Sequence, residues 1–567
     1  MLTFLYSTGS GAQTGTPERP LTLEHMREGR CRMSLQAPTS AGTAPDKGLR
    51  AGALGMASSV VIAVASTAPA YSLAATLGLV VLAVGLQSPV IVVLAFVPIL
   101  GTALGYKELN EIDADCGTTF TWAARAFGPY TAWMGGWAIV AADVLVMASL
   151  AQIAGQYSFL LVGAEGIGHN ATSEWVLAVG VGFIAVMTWL CVRGLDVSAR
   201  VQRVLLTVEV VMLLVFAAVA LVRVYLGSAP AGSVRPSWSW FNPMEIGSPS
   251  SFVEAILLMV FIYWGWDSSV SINEETRDST RTPGRAAVVS TVLLVALYVL
   301  LTVAAQAFAG VGTIGIGLAN PANTSDVLSA VGAAVFGSGW VGAVLTHLLL
   351  LMVLTSAAAS TQTTILPTAR TTFAMAVFKA LPEHFARVHP RYLTPTVSTV
   401  VMGTVSAALY AAFNFVAGGA VISDAVTAIG VSVGFYYGLT GFSCAWLFRR
   451  TLLSSPRNLL VRGVFPALGG VLLFFAVGWT VVTVWAPDAG FTSWTMPFAP
   501  HWEIGGVFLI GVGSMAIGVP LMLVMAWARP AFFRGQVLVK GMPDQTETSL
   551  RSAPQRVWKL PSAPTRR

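Results

Sequence analysis

The chain has 567 residues, 55% hydrophobic and only 10% charged, with a mean hydropathy of +0.72. Soluble domains average about 25% charged residues, so this composition excludes an ordinary soluble enzyme or binding module and indicates a polytopic membrane protein. The net charge of +6 does not indicate a nucleic-acid partner, because Lys and Arg fall in the tails and connecting loops, where the positive-inside rule operates.

In chain order, residues 1–50 carry Pro17, Pro20, Pro38 and Pro45 without a long apolar core. They read as a disordered cytoplasmic tail, neither signal peptide nor membrane span, with Met33 as an alternative start. A membrane helix needs about 20 apolar residues. Segments meeting that need fall near 53–80, 88–106, 129–155, 174–192, 201–225, 252–272, 286–310, 340–365, 394–414, 420–448, 463–486 and 503–528, twelve in all. The Arg-, Ser- and Pro-rich residues 529–567 read as a second cytoplasmic tail. Loops after the even-numbered segments hold sixteen Lys and Arg residues, whereas the opposite loops hold only Arg223 and Arg235. That asymmetry predicts a multi-pass protein of the cell membrane with both termini in the cytoplasm.

Two segments are interrupted, and they lie five apart. The first carries Ser66, Thr67, Ala68, Pro69, Ala70, Tyr71 and Ser72, where the proline removes a backbone donor and disturbs the preceding turn. The sixth runs through Phe261, Tyr263, Trp264, Gly265, Trp266 and Asp267. An acid at membrane depth calls for a polar interior, and glycine lets the backbone open. Matching breaks in corresponding segments point to a transporter of inverted repeats with a binding site near the midplane. The expected fold is therefore all-α with 12 transmembrane helices. A 5+5 inverted-repeat core of leucine-transporter type spans 51–225 and 251–448, helices 1 and 6 are broken, and two extra helices occupy 462–528.

Four cysteines (Cys31, Cys116, Cys191, Cys444) show no CxxC spacing and the six histidines are dispersed, so no metal site is expected. No phosphate loop or nucleophile–base motif appears, which argues against an enzyme or a primary pump.

Several separated motifs resemble the amino acid–polyamine–organocation permeases. Glu108-Leu109-Asn110, then Ala126-Phe127-Gly128-Pro129-Tyr130 and Gly136-Trp137, are similar to that family's approach to its third span. Ser198-Ala199-Arg200-Val201-Gln202 is similar to its entry to span 5. Gly265-Trp266-Asp267-Ser268, Glu274-Glu275-Thr276 and Pro283-Gly284-Arg285 are similar to its span 6 and exit. Thr368-Ala369-Arg370 and the stretch from Leu381 to Pro395 are similar to its loop between spans 8 and 9. The resemblance covers spans 1 to 10. It implies a substrate held by Ser66, Thr67, Ala68, Pro69, Ala70 and Tyr71 at its carboxylate end and by Tyr263, Trp264, Gly265 and Trp266 at its ammonium end. Free N–H groups and the positive dipole end of a half-helix suit the former, and unwound carbonyls suit the latter. The alternative is that these small residues only pack helices.

Other candidates carry paired readings. Phe261 falls where the family often places an aromatic that closes over the substrate, or else it fills the core. Asp267 matches an acid common in the family and serves proton coupling, gate stabilisation or structure. Glu209 departs from the family, many of whose members carry a lysine there. It is expected to carry a proton, with cation binding or a protonated structural bond as alternatives. Asp143 is expected to pair with a hydroxyl of span 8 or 10, or with a substrate amine. Glu274 and Glu275 are expected to form an inner gate with Arg193, Arg200 or Arg203. Of the adjacent Tyr436 and Tyr437, at most one is expected to face the cavity.

The resulting reading is a secondary transporter that imports or exchanges amino acids by alternating access. It has no cofactor, a proton or a sodium ion as coupling ion, and the lipid bilayer and a small molecule as its partners. The rivals are a polyamine or organic-cation transporter of the same fold and a transport-silent nutrient sensor.

Overall fold

The computed structural model describes residues 47–321, 323 and 327–541. Most of both expected tails, including Met33 and Cys31, lies outside these described residues. The chain forms helices α1 (Met56–Ser66), α2 (Pro69–Val84), α3 (Ser88–Ile112), α4 (Thr119–Ala126), α5 (Pro129–Leu161), α6 (Glu174–Arg193) and α7 (Leu195–Tyr225). Then come α8 (Pro249–Ile262), α9 (Ser268–Ser271), α10 (Thr282–Ala309), α11 (Val327–Phe336), α12 (Trp340–Val377), α13 (Thr396–Phe415), α14 (Ala420–Phe448) and α15 (Phe465–Thr483). A short antiparallel hairpin of β1 (Ser493–Thr495) and β2 (Glu503–Gly505) precedes α16 (Gly506–Ala528). Among the described residues, ten segments are long and apolar enough to cross a membrane, the longest being the stretch Met56–Ile112 that gathers α1 to α3.

Prolines open several of these helices, at Pro69, Pro129, Pro249 and Pro283. A proline in the first turn forfeits no helical bond, so the sequence marks these starts locally. Ser248 adds an N-cap to α8, its hydroxyl accepting the amide of Ser251 at 3.1 Å. At the centre lies α5, packed against α12, α14, α6 and α13. The hairpin is held to the bundle by Asp424 on α14, whose carboxylate accepts the amides of Phe491 and Thr492 at 2.7 and 2.9 Å.

One boundary differs usefully from expectation. α12 has 38 residues and is therefore about 57 Å long at 1.5 Å per residue, well beyond a hydrocarbon core of about 30 Å. It continues twelve residues past the expected end at 365, through Pro367, to Val377. Pro367 cannot donate to the carbonyl of Thr363, and the hydroxyl of Ser268 reaches that oxygen at 3.5 Å instead. The extension places Arg370 inside the bundle rather than in a loop.

Candidate functional site: two broken helices and a sealed basic end

Between α1 and α2 the backbone leaves the helix at Ala68, with φ 44° and ψ 64°. Local hydroxyls satisfy the groups this frees. Thr67 donates to the carbonyl of Val64 at 2.8 Å and Ser72 to that of Thr67 at 2.6 Å. Pro69 starts α2, and the amide of Ala70 donates to Oε1 of Glu209 at 2.8 Å. The same oxygen accepts the hydroxyl of Ser356 at 2.7 Å. Oε2 of Glu209 is buried and has no hydrogen-bond partner among the described residues. A carboxylate thus sits on the positive end of a half-helix, where an anion is favoured. Tyr71 turns to α5, its hydroxyl bonding that of Ser149.

The second break lies between α8 and α9, at Gly265, with φ +118°. A Cβ there would come within 2.7 Å of the carbonyl oxygen of Ser66, so glycine is required both for its conformation and for the approach. The hydroxyls of Ser66 and Ser268 meet at 2.8 Å, and Ser360 donates to the carbonyl of Ser66 at 3.0 Å. The two breaks therefore touch directly.

The residues around Gly265 point in different directions. Tyr263 donates to the carbonyl of Val92 on α3 at 3.0 Å and packs edge-on to Tyr298. Trp264 donates its indole N–H to the hydroxyl of Tyr436 at 2.6 Å. Trp266 is fully buried between Tyr106 and Tyr437. The carboxylate of Asp267 accepts the hydroxyl of Tyr437 at 2.8 Å and that of Tyr436 at 3.3 Å. Adjacent on α14, the two tyrosines nonetheless share one partner, because their long arms converge on an acid in the unwound segment. Asp143 on α5 accepts the hydroxyl of Thr368 on α12. Phe261 lines a cavity of about 840 Å³ between α2, α8, α14 and α15, and its ring lies 6.4 Å from that of Trp264.

The opposite end of the bundle carries the arginine-rich loops, and buried ion pairs tie it together. Arg370 forms a two-point ion pair with Glu275, at 2.8 and 3.1 Å, with both side chains almost fully buried. Lys47 reaches Glu274 at 2.6 Å and Asp115 at 2.7 Å, and its ammonium lies 5.3 Å from the ring of Phe378. Residues 52–54 run alongside residues 275–277. Leu54 exchanges backbone bonds with Glu275 and Arg277, and Arg277 donates to the carbonyl of Gly52 at 3.2 Å. The acids are thus paired, but not with the arginines expected from the sequence. Arg193 instead stacks on Trp189 and Tyr392. Arg370 was missed because the helix carrying it looked shorter, and Lys47 because it falls within a polar, proline-rich stretch.

Asp115, Cys116 and Glu274 place their ligand atoms within 4.8 Å of one another. The ammonium of Lys47 sits among them, 3.6 Å from the sulfur of Cys116, and supplies the cation this trio needs. Burial alone would lower the pKa of Lys47, but Asp115, Cys116 and Glu274 outweigh it and hold the pKa above the ordinary lysine value.

Apolar helices enclosing two apposed breaks, with acids and hydroxyls buried around them, define a multi-pass membrane transporter rather than an enzyme. The chain matches the profile of the Amino acid permease family over residues 53–512 and belongs to that family. It is 26% identical to the branched-chain amino acid permease BcaP of Bacillus subtilis over 71% of this chain and 82% of that protein. It is also 26% identical to the low-affinity putrescine importer PlaP of Escherichia coli, over 34% of this chain and 40% of that protein. A methylthioribose transporter of Bacillus subtilis is 24% identical over 55% and 64% of the respective chains.

Proposed function

We propose that the protein carries amino acids across the cell membrane by alternating access, coupled to protons through Glu209, with its basic end in the cytoplasm. The observation that carries this reading is the bond from the amide of Ala70 to Glu209. The start of α2 is where a half-helix offers its positive end to a substrate carboxylate, and Glu209 already stands there. Two carboxylates at one helix terminus repel, so an amino acid arriving there favours the protonated form of Glu209. Substrate and proton then bind together, which is symport. The substrate ammonium goes to the unwound backbone at Tyr263 to Trp266. Phe261 and Trp264 separate the site from the cavity, which serves as the outer approach, while Lys47, Glu274, Glu275 and Arg370 seal the inner side.

This reading gives the helices an inverted-repeat arrangement of twelve spans, α1–α2 and α8–α9 being the broken first and sixth. Uptake of labelled amino acids into proteoliposomes, with pH and sodium gradients imposed separately, tests it. A pH gradient should drive accumulation, and Glu209→Gln should abolish that accumulation while preserving exchange of labelled for unlabelled substrate. Unimpaired pH-driven accumulation by Glu209→Gln sinks the coupling role.

A diamine is the second reading, favoured by Asp143 and Asp267 lying within electrostatic reach of each other. Inhibition of labelled amino-acid uptake by putrescine, with accumulation of labelled putrescine itself, would favour it.

A further inference from the structure

Thirteen buried side-chain polar atoms have no hydrogen-bond partner among the described residues, and six of them belong to α7 and α12. Leaving a buried polar atom without a partner is costly, so such atoms are normally satisfied by ordered water. These six do not scatter. From mid-bundle toward the basic end they are Oε2 of Glu209, Oε1 of Gln202 with Nε2 of Gln362, Oγ of Ser198, then Nη1 of Arg370 with Oγ1 of Thr371. All six residues are fully buried.

The antiparallel register of the two helices makes this a column. Glu209 bonds Ser356, and seven residues earlier Gln202 bonds the carbonyl of Ala359 at 2.9 Å and the amide oxygen of Gln362 at 2.6 Å. Seven residues rise about 10.5 Å along a helix, a gap that about three waters at 2.8 Å spacing can bridge. Ser198 lies one turn below Gln202. Arg370, two turns beyond Gln362, is already at the ion pair that closes the basic end.

We propose that this seam is a proton path. On the reading of Glu209 as the coupling carboxyl, a file of buried waters held by Gln202 and Gln362 links it to the basic end, separately from the substrate route. The amides neither gain nor lose the proton. Each holds a water with its unpaired atom, and the proton passes from the Glu209 carboxyl along the waters to the cytoplasm, leaving the carboxylate behind. Titratable neighbours of Glu209 are Tyr71 on α2 and Tyr298 on α10, whose hydroxyls are engaged by Ser149 and by the carbonyl of Ile262. Lower in the column, Cys191 on α6 bonds the carbonyl of Gln362 at 3.5 Å, and the charged groups are Arg370 and Glu275.

The test uses the full-length protein in proteoliposomes containing a pH-sensitive dye. Gln202→Leu and Gln362→Leu fill the polar stations with apolar side chains. They should slow pH-driven net uptake and the accompanying proton flux by about tenfold or more, in line with losing a positioned proton relay. Exchange of labelled for unlabelled substrate at equal pH needs no net proton release and should stay near wild type, which also reports correct folding. Gln362→Asn, which retains an amide, should recover net uptake. Net uptake and exchange falling together, or neither falling, overturns the path. Should Glu209→Gln keep its pH-driven uptake, the coupling role fails and the path falls with it. Should Glu209→Gln lose that uptake while both leucine variants retain it, the path alone fails.

Discussion

Arg370 and Glu275 meet through two parallel hydrogen bonds at 2.8 and 3.1 Å, with only about 1% of either side chain exposed. Desolvation makes such a pair costly to break from one side, because the remaining charge stays buried and unpaired. Arg370→Met or Glu275→Met alone should each destabilise the protein by about 3–5 kcal/mol, whereas the double replacement should recover most of that loss. Thermal unfolding in detergent, followed by size-exclusion chromatography, measures it. Single variants as stable as wild type would remove the pair from the account.

Lys47 fastens the same end by a different contact, and its substitution has its own signature. Cys116 is buried beside it. Lys47→Met should unlock the mouth and let a membrane-impermeant maleimide reach Cys116 from the basic side. The pKa of Lys47 is raised in the folded protein, so its stabilising contribution is fully present below the ordinary lysine value of about 10.4 and declines only above it. The stability difference between wild type and Lys47→Met should therefore be constant between about pH 6 and pH 9. A difference that changes across that range would show that the ammonium is not what the acids hold.

How much of this was legible beforehand follows from where the signals are local. Pro69 and Gly265 announce the two breaks because each acts on its own backbone, and the structure puts those breaks in contact through Ser66. Residue chemistry requires a donor for the buried Asp143, a hydroxyl of span 8 or 10 or a substrate amine, and the structure sets the hydroxyl of Thr368 on α12 against it. Partner choice at the basic end was not legible. It depends on a helix overrunning its apolar stretch by twelve residues and on a lysine brought 227 positions along the chain to Glu274, and neither leaves a local trace. The column of unpaired atoms was equally hidden, because it exists only once α7 and α12 are set side by side.

Gly265 offers the sharpest steric test. With φ +118° and the carbonyl of Ser66 at 2.7 Å from any added Cβ, Gly265→Ala must push the two breaks apart. A backbone conformation of this kind disfavours side chains by about 1–3 kcal/mol. Gly265→Ala should still insert and purify but lose uptake by about one to two orders of magnitude, as those energies imply. Wild-type uptake by this variant would mean that the contact between the breaks is not needed for transport.

Tyr436 and Tyr437 share Asp267 but differ in their second bond. Tyr437 donates to the acid at 2.8 Å and accepts the amide of Gly265 at 3.3 Å, so it ties the acid to the break itself. Tyr436 donates to the acid at 3.3 Å and accepts the indole N–H of Trp264 at 2.6 Å. Hydrogen bonds to charged groups contribute about 1.5–3 kcal/mol, and neutral ones about 1 kcal/mol. The shorter bond to Asp267 therefore makes Tyr437→Phe the more destabilising change. Because it also frees the backbone at Gly265, it should lower the maximal uptake rate. Tyr436→Phe loses the longer bond to Asp267 and frees the indole of Trp264, and should raise the apparent KM with the maximal rate largely kept. Uptake kinetics of both variants, normalised to the amount reconstituted, decide the matter, and the opposite assignment of rate and KM effects would show that Trp264 does not guard the approach to the site.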